Sequence, residues 1–297
     1  MRYALIAVLI TLIVGAVALR AQNTPAPNPQ RGGAQGQIGG RGGGAAQPTT
    51  PALPTPRWPD GHVNLGTAPG EKGLWQGDGR LANNPNSYEP NNAGVRAALV
   101  HIKDVPLQPW ARALTDYRHA NVLRTGPHPR CKPSGGPRQF VTPYGVEIVD
   151  MPEMKRVFIM DIGGPHSFRV VYMDGRPHPK DLELSYYGHS IGRWDGDTLV
   201  IDTVGFNEKF WMNRDGLPHT DRMHLIERLT RPDSRTLKYE VTIDDTGAYT
   251  ATWTSGFTMR WTEGLELFEY VCQDNNQLPV AITDDEGHNV ATSKIVP

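Results

Sequence analysis

The sequence predicts a mainly β fold: an antiparallel meander closing into a barrel or strongly curved sheet, with one or two short helices N-terminal to it. Three observations predict it. From Val146 to Cys272 the chain is a succession of β-rich runs with no helical period between them. One run alternates strictly, with Leu237, Tyr239, Val241 and Ile243 set against Lys238, Glu240, Thr242 and Asp244, as a half-buried strand requires. About nine such runs must avoid a long open edge, and closure removes edges altogether.

The chain begins before that sheet. Met1 and Arg2 give a short positive start, and Tyr3 to Leu19 is apolar except for Thr11. Ala16-Val17-Ala18 is an A-x-A cleavage pattern, with Ala21 as a second site. Residues 1–21 therefore read as a secretory signal peptide. The alternative is an uncleaved anchor, since a run of 17 residues stands at the short edge of a membrane span. No later stretch reaches that length. Residues 22–56 read as a disordered linker. They hold no Asp or Glu, and Pro-rich ends flank the run RGGAQGQIGGRGGG. Such a stretch cannot bury enough apolar surface to offset its ordering entropy.

A single β-rich domain is expected over 57–276, with a polar tail at 277–297. Its first third is rich in turn signals, such as Pro59-Asp60-Gly61 and Pro69-Gly70. A helix is expected from Gln108 to Asn121. Pro109 suits the first turn, and Trp110, Ala113, Leu114 and Tyr117 recur at helical spacing. A second, short helix is expected near Asn92, through Val95, Leu99 and Val100. The strands follow. Arg156–Asp161 and Phe168–Tyr172 are separated by Gly163-Gly164-Pro165. His189–Trp194 and Asp197–Val204 flank Asp195-Gly196, a strong hairpin signal. Met223–Arg231 and Thr236–Asp244 make a second hairpin around Pro232-Asp233-Ser234. Thr258–Trp261 and Leu265–Cys272 make a third around Glu263-Gly264. The two cysteines, Cys131 and Cys272, are expected to pair in an oxidising compartment; the alternative is two buried thiols.

The text CKPSGGPRQFVTPYGVEIV, VYMDGRPHP, YGHSIGRWDGDTLVIDTVGFNEKFWM, GLPHTDRMHLIERLTRPDSRTLKYEVTIDD and LFEYVCQDNN runs in that order. It resembles a group of secreted bacterial proteins of unknown function with the signature G-H-S-x-G-R-W-x-G-D-T-L-V-x-D-T-x-G-F. The resemblance covers roughly residues 105–276. The group's usual Asp-Pro is Asp245-Thr246 here. The resemblance implies secretion and a β-rich fold, and carries no activity.

Thirty basic against thirty-one acidic residues give a net charge of −1, which excludes a protein built on nucleic-acid binding. The catalytic candidates are His189, Asp174 and His219, which stand at strand ends that meet if the meander closes. Arg176 and His178 flank the same turn as Asp174, and His224 and Glu227 follow His219. Strand alternation puts His189 and Arg193 on one face and Ser190 and Trp194 on the other. The ligand-binding candidates are Arg193, Trp194, Phe210 and Trp211. The loop around Phe206 to Met212 is either folded over the barrel mouth or exposed as a binding surface. Gly188, Ser190 and Gly192 match G-x-S-x-G, but no helix follows, so no hydrolase elbow is expected. The His spacings fit no metal motif, and no cofactor is implied. Three functions remain: a lipocalin-like carrier of an apolar or amphipathic small molecule, an enzyme using His189 with a carboxylate, and an envelope protein docking a partner through its aromatic loop. The oligomeric state is open.

Overall fold

A computed structural model describes residues 53–68, 70–77, 80–82, 100–142, 144–161, 163 and 165–272. The expected signal peptide, most of the expected linker, the helix expected near Asn92 and the tail 277–297 lie outside the described residues. Nine strands among them form a closed barrel in sequence order. They are β1 (Gly73–Gln76), β2 (Val146–Met151), β3 (Arg156–Asp161), β4 (Phe168–Tyr172) and β5 (His189–Asp195), then β6 (Thr198–Val204), β7 (His224–Asp233), β8 (Thr236–Asp244) and β9 (Trp253–Glu263). The predicted mainly β barrel is the observed architecture. The meander is not antiparallel throughout, because β4 and β5 pair in parallel, Val171 beside Ser190. Residues 173–188 cause this. They form a strap that crosses back along the barrel before β5 begins, so β5 runs in the direction of β4.

Two further differences concern strand choice. Leu265–Cys272 is not a strand. The position beside β9 is already taken by β1, whose Gly73 to Gln76 pair with Glu263 to Arg260. The first hairpin turns at Gly196-Asp197, one residue later than expected, because Asp195 still pairs with Thr198. The β7–β8 strands run on through a bulge to the Asp233–Thr236 pair.

The inner wall follows the period-2 pattern. Val157, Ile159, Leu199, Ile201, Leu225, Leu229, Leu237, Val241 and Ile243 are all buried. Across the centre runs a polar bridge. Arg169 on β4 donates to both carboxylate oxygens of Glu227 on β7, and to Ser190 Oγ (2.8 Å) and Thr203 Oγ1 (2.6 Å). Tyr239 OH donates to Glu227 Oε1 at 2.9 Å. Every polar group of this bridge is paired, which a buried charge requires. A 3₁₀ helix, Gly136–Val141, sends Phe140 against Tyr239, with ring centroids 4.5 Å apart, and Tyr239 meets Phe257 at 5.1 Å. The middle of the barrel is thus spanned by its own side chains.

Both mouths are closed by chain. At one end, residues 53–66 run beneath the strands, with Val63 and Leu65 buried. Arg231 donates to the carbonyls of Asn64 and Gly66, and lies over the Trp75 ring. Leu53 and Thr55, within the stretch expected to be linker, hydrogen-bond to Ser234 and Arg231. At the other end a lid forms from helix α1 (Pro109–Ala120), the 205–223 loop and the 245–252 loop. Trp110 Nε1 donates to Gly247 O, and Arg118 donates to Gly216 O while lying over Trp211. Asp245 ties the two loops by accepting from Thr220 and from the amides of Gly247 and Ala248. Helix α1 matches the expected range, but its buried stripe is Ala111, Leu114, Thr115 and Arg118. Trp110, Ala113 and Tyr117 face outward. The lid gives Arg118 one carbonyl and one aromatic face in the interior, so a charged side chain takes a core position.

Cys131 and Cys272 form a disulfide, as expected, with Cα atoms 5.6 Å apart.

Candidate functional site on the outer wall

The outward residues of β3 and β4 are largely apolar. Phe158, Met160 and Val170 are half-buried, and Phe168 is 54% exposed. The Phe158 and Phe168 rings lie 6.2 Å apart. Beyond the upper end of this strip Phe268 and Tyr270, both partly exposed, meet the His166 ring at 5.1 and 5.2 Å. The lower end is polar. The Arg176 guanidinium lies 4.0 Å from the Tyr172 ring centre and that of Arg156 lies 5.6 Å from it. Arg176 is neutralised by Asp174, whose carboxyl it holds down at about 2. Arg156 has no carboxylate partner among the described residues. From Phe168 to Tyr172 the strip is about 13 Å long, at about 3.3 Å per residue.

Next to Tyr172 an imidazole–carboxylate cluster assembles from three elements. His189 of β5 stacks on Tyr172, with ring centroids 5.1 Å apart. The strap brings His178 Nδ1 to 2.8 Å from His189 Nδ1. His178 Nε2 is 3.2 Å from Asp202 Oδ1 on β6, and the same oxygen is 2.8 Å from His224 Nε2 on β7. Burial, then His178, then Arg176 lower the His189 pKa, and Asp174 opposes them. This favours the neutral imidazole at His189. Chemically, the wall offers an apolar strip, a cation, and imidazole nitrogens aligned by a carboxylate.

The structure brings Asp174 and His189 to the same place and leaves His219 elsewhere. His219 is wholly enclosed under the lid, 4.1 Å from the Phe210 ring centre. Burial, and to a lesser extent Arg118, push its pKa down to about 4. The aromatic loop is folded over the mouth: Phe210 and Trp211 are 1% and 4% exposed. Arg193 is exposed on the same face as His189, and Trp194 lies at the opposite mouth, 5.3 Å from the His62 ring. Ser190 points into the barrel, on Arg169 and Thr203, and its strand runs on into a hairpin. Tyr172 and Arg156 escaped the sequence reading. Their only signal was that both alternating sets of β3 and β4 are apolar, which hides the outward face.

A second polar group lies buried beneath the strap's upper end. Tyr187 OH donates to Asp161 Oδ2 at 3.0 Å, and Gly163 N donates to Oδ1 at 2.8 Å. Burial raises the Asp161 pKa to about 6. Burial, then Arg138 and Arg214, push His128 down to about 3. No helix among the described residues is long and apolar enough to cross a membrane. No family model, curated protein or solved structure matches the chain.

Proposed function

We propose that the protein is exported and binds a small amphipathic anion on the outer wall of the barrel. The observation that carries this reading is the guanidinium of Arg156, with no carboxylate partner among the described residues, at the end of the half-exposed strip of Phe158, Met160, Phe168 and Val170. The acyl part of the ligand lies along the strip, and its acidic head lies between Arg156 and Arg176 beside Tyr172. The barrel interior serves this role less well, because Arg169, Glu227, Phe140 and Tyr239 occupy it. Docking through the aromatic loop is disfavoured by the burial of Phe210 and Trp211. Catalysis at His189 is disfavoured by its position on an open wall, where water is not excluded.

Dodecanoate titrated into the exported protein tests the proposal. Arg156→Gln should weaken its binding ~10-fold or more, as loss of a charge-assisted hydrogen bond does. Phe168→Ala should weaken dodecanoate and dodecanol alike. Absence of saturable dodecanoate binding, or equal affinity in Arg156→Gln, would show that the wall has no such role. Export rests on the Tyr3–Leu19 run and its cleavage pattern. Sequencing the exported protein should give Leu19 or Gln22 as its first residue; Met1 would indicate an anchor.

A further inference from the structure

We propose that His178 and His189 form an open, two-imidazole site for a divalent transition metal, with copper(II) preferred. The two Nδ1 atoms face each other across 2.8 Å, one carried by the strap and the other by β5. Metal–imidazole bonds are about 2.0–2.1 Å long. Two such donors at a right angle stand about 2.8–3.0 Å apart, whereas tetrahedral donors stand about 3.3 Å apart. The observed separation fits neighbouring positions of a tetragonal site, the geometry of copper(II) and nickel(II). Copper(II) also tops the affinity order for nitrogen donors.

The surroundings are those of a ligand pair. His178 turns its other nitrogen to the Asp202 carboxylate, which can only accept, so Nε2 carries the proton and Nδ1 presents its lone pair. A carboxylate behind a histidine is the usual outer partner of a metal-bound imidazole. Stacking on Tyr172 fixes the plane of His189, whose Nε2 has no hydrogen-bond partner among the described residues. On binding, the metal takes the place of the single proton between the two Nδ1 atoms, and solvent carries that proton to the open Nε2 of His189, so both imidazoles stay neutral and no net proton is released. No group of three or more His, Cys, Asp or Glu side chains among the described residues is arranged to hold a metal. The remaining positions therefore belong to water, and the metal exchanges readily. This site is independent of what the apolar strip binds.

Copper(II) titration of the full exported chain, followed by electron paramagnetic resonance, tests the assignment. One copper per chain with coupling to two nitrogen nuclei is expected. His178→Ala and His189→Phe should each weaken binding 100-fold or more. Phenylalanine keeps the ring stacked on Tyr172, so this variant loses the nitrogen without losing the wall. Asp202→Asn should weaken binding about 10–100-fold. His224→Ala, which removes an imidazole bonded to Asp202 but outside the pair, should change it less than threefold. Binding that survives His189→Phe, or that falls equally in His224→Ala, overturns the assignment.

Discussion

Glu227 accepts three hydrogen bonds in full burial, so its removal strands Arg169 inside the barrel. Glu227→Leu should cost about 3–5 kcal/mol, while Arg169→Met with Glu227→Leu should cost far less, since a buried pair is often replaceable by apolar groups. Urea unfolding of the two variants and the parent measures the difference. His219 makes a second residue-scale case. Its folded pKa, about 4, lies below the unfolded value of 6.5, so its contribution is present above pH 6.5 and is lost as pH falls toward 4. At pH 5 that loss is about 2 kcal/mol. His128 acts in the same direction. Asp161 acts oppositely: its raised pKa stabilises the fold at low pH, and that gain disappears as pH rises through about 6. Two imidazoles outweigh one carboxyl, so stability should drop between pH 7 and 5. His219→Leu should make the drop shallower in urea midpoints measured at both pH values. His189 was legible because it opens a strand next to a glycine. Arg156 was not, because nothing local distinguishes a cation that lacks a partner from one that has one.

Among elements, two glycines of positive φ differ in surroundings: Gly135, which precedes the 3₁₀ helix, and Gly175 in the strap. Gly135, with φ 72°, lies where a Cβ would stand 2.4 Å from the Phe210 ring. Gly175, with φ 76°, has nothing within 4 Å of its Cβ position. Both alanine variants incur about 1–2 kcal/mol of backbone strain. Gly135→Ala adds a core clash of about 1–3 kcal/mol, so its melting temperature should fall clearly further than that of Gly175→Ala. The elements themselves were unevenly readable. Strands β5 to β8 announce themselves by alternation, because one wall meets the core and the other meets water. β1 is only four residues, with Gly73, Leu74 and Trp75 all buried, and so has no alternation to read. Leu265–Cys272 has strand composition, but β1 had already taken the edge it needed, and only long-range pairing decides that. Helix α1 was placed correctly while its face was misjudged. Thr115 is a core residue there because its hydroxyl donates back to Ala111 O one turn earlier, and Arg118 because Gly216 O, distant in sequence, accepts from it.

For the whole molecule, closure is uneven around the ring. β1 and β2 meet at Trp75 and Val146 alone, and β4 and β5 at two positions, whereas β7 and β8 pair along nearly their full length. Local opening follows such thin seams. Amide exchange should be at least ~10-fold faster at Val146 and at Ser190–Ile191 than in the centres of β7 and β8, and equal rates would refute the seam. The Cys131–Cys272 bond spans 141 residues and should add about 5 kcal/mol by restricting the unfolded chain. It also decides how the molecule carries tension. A pull applied at the two ends of the chain enters through residues 53–131, crosses the sulfur bridge and leaves beyond Cys272. Strands β2 to β9 lie between the two cysteines, so they bear no load once β1 and residues 53–66 have torn away from them. Stretched in an optical trap, the oxidised protein should yield only its first segment. A reductant should then release a further contour length of roughly 480 Å, for 141 residues at about 3.4 Å each.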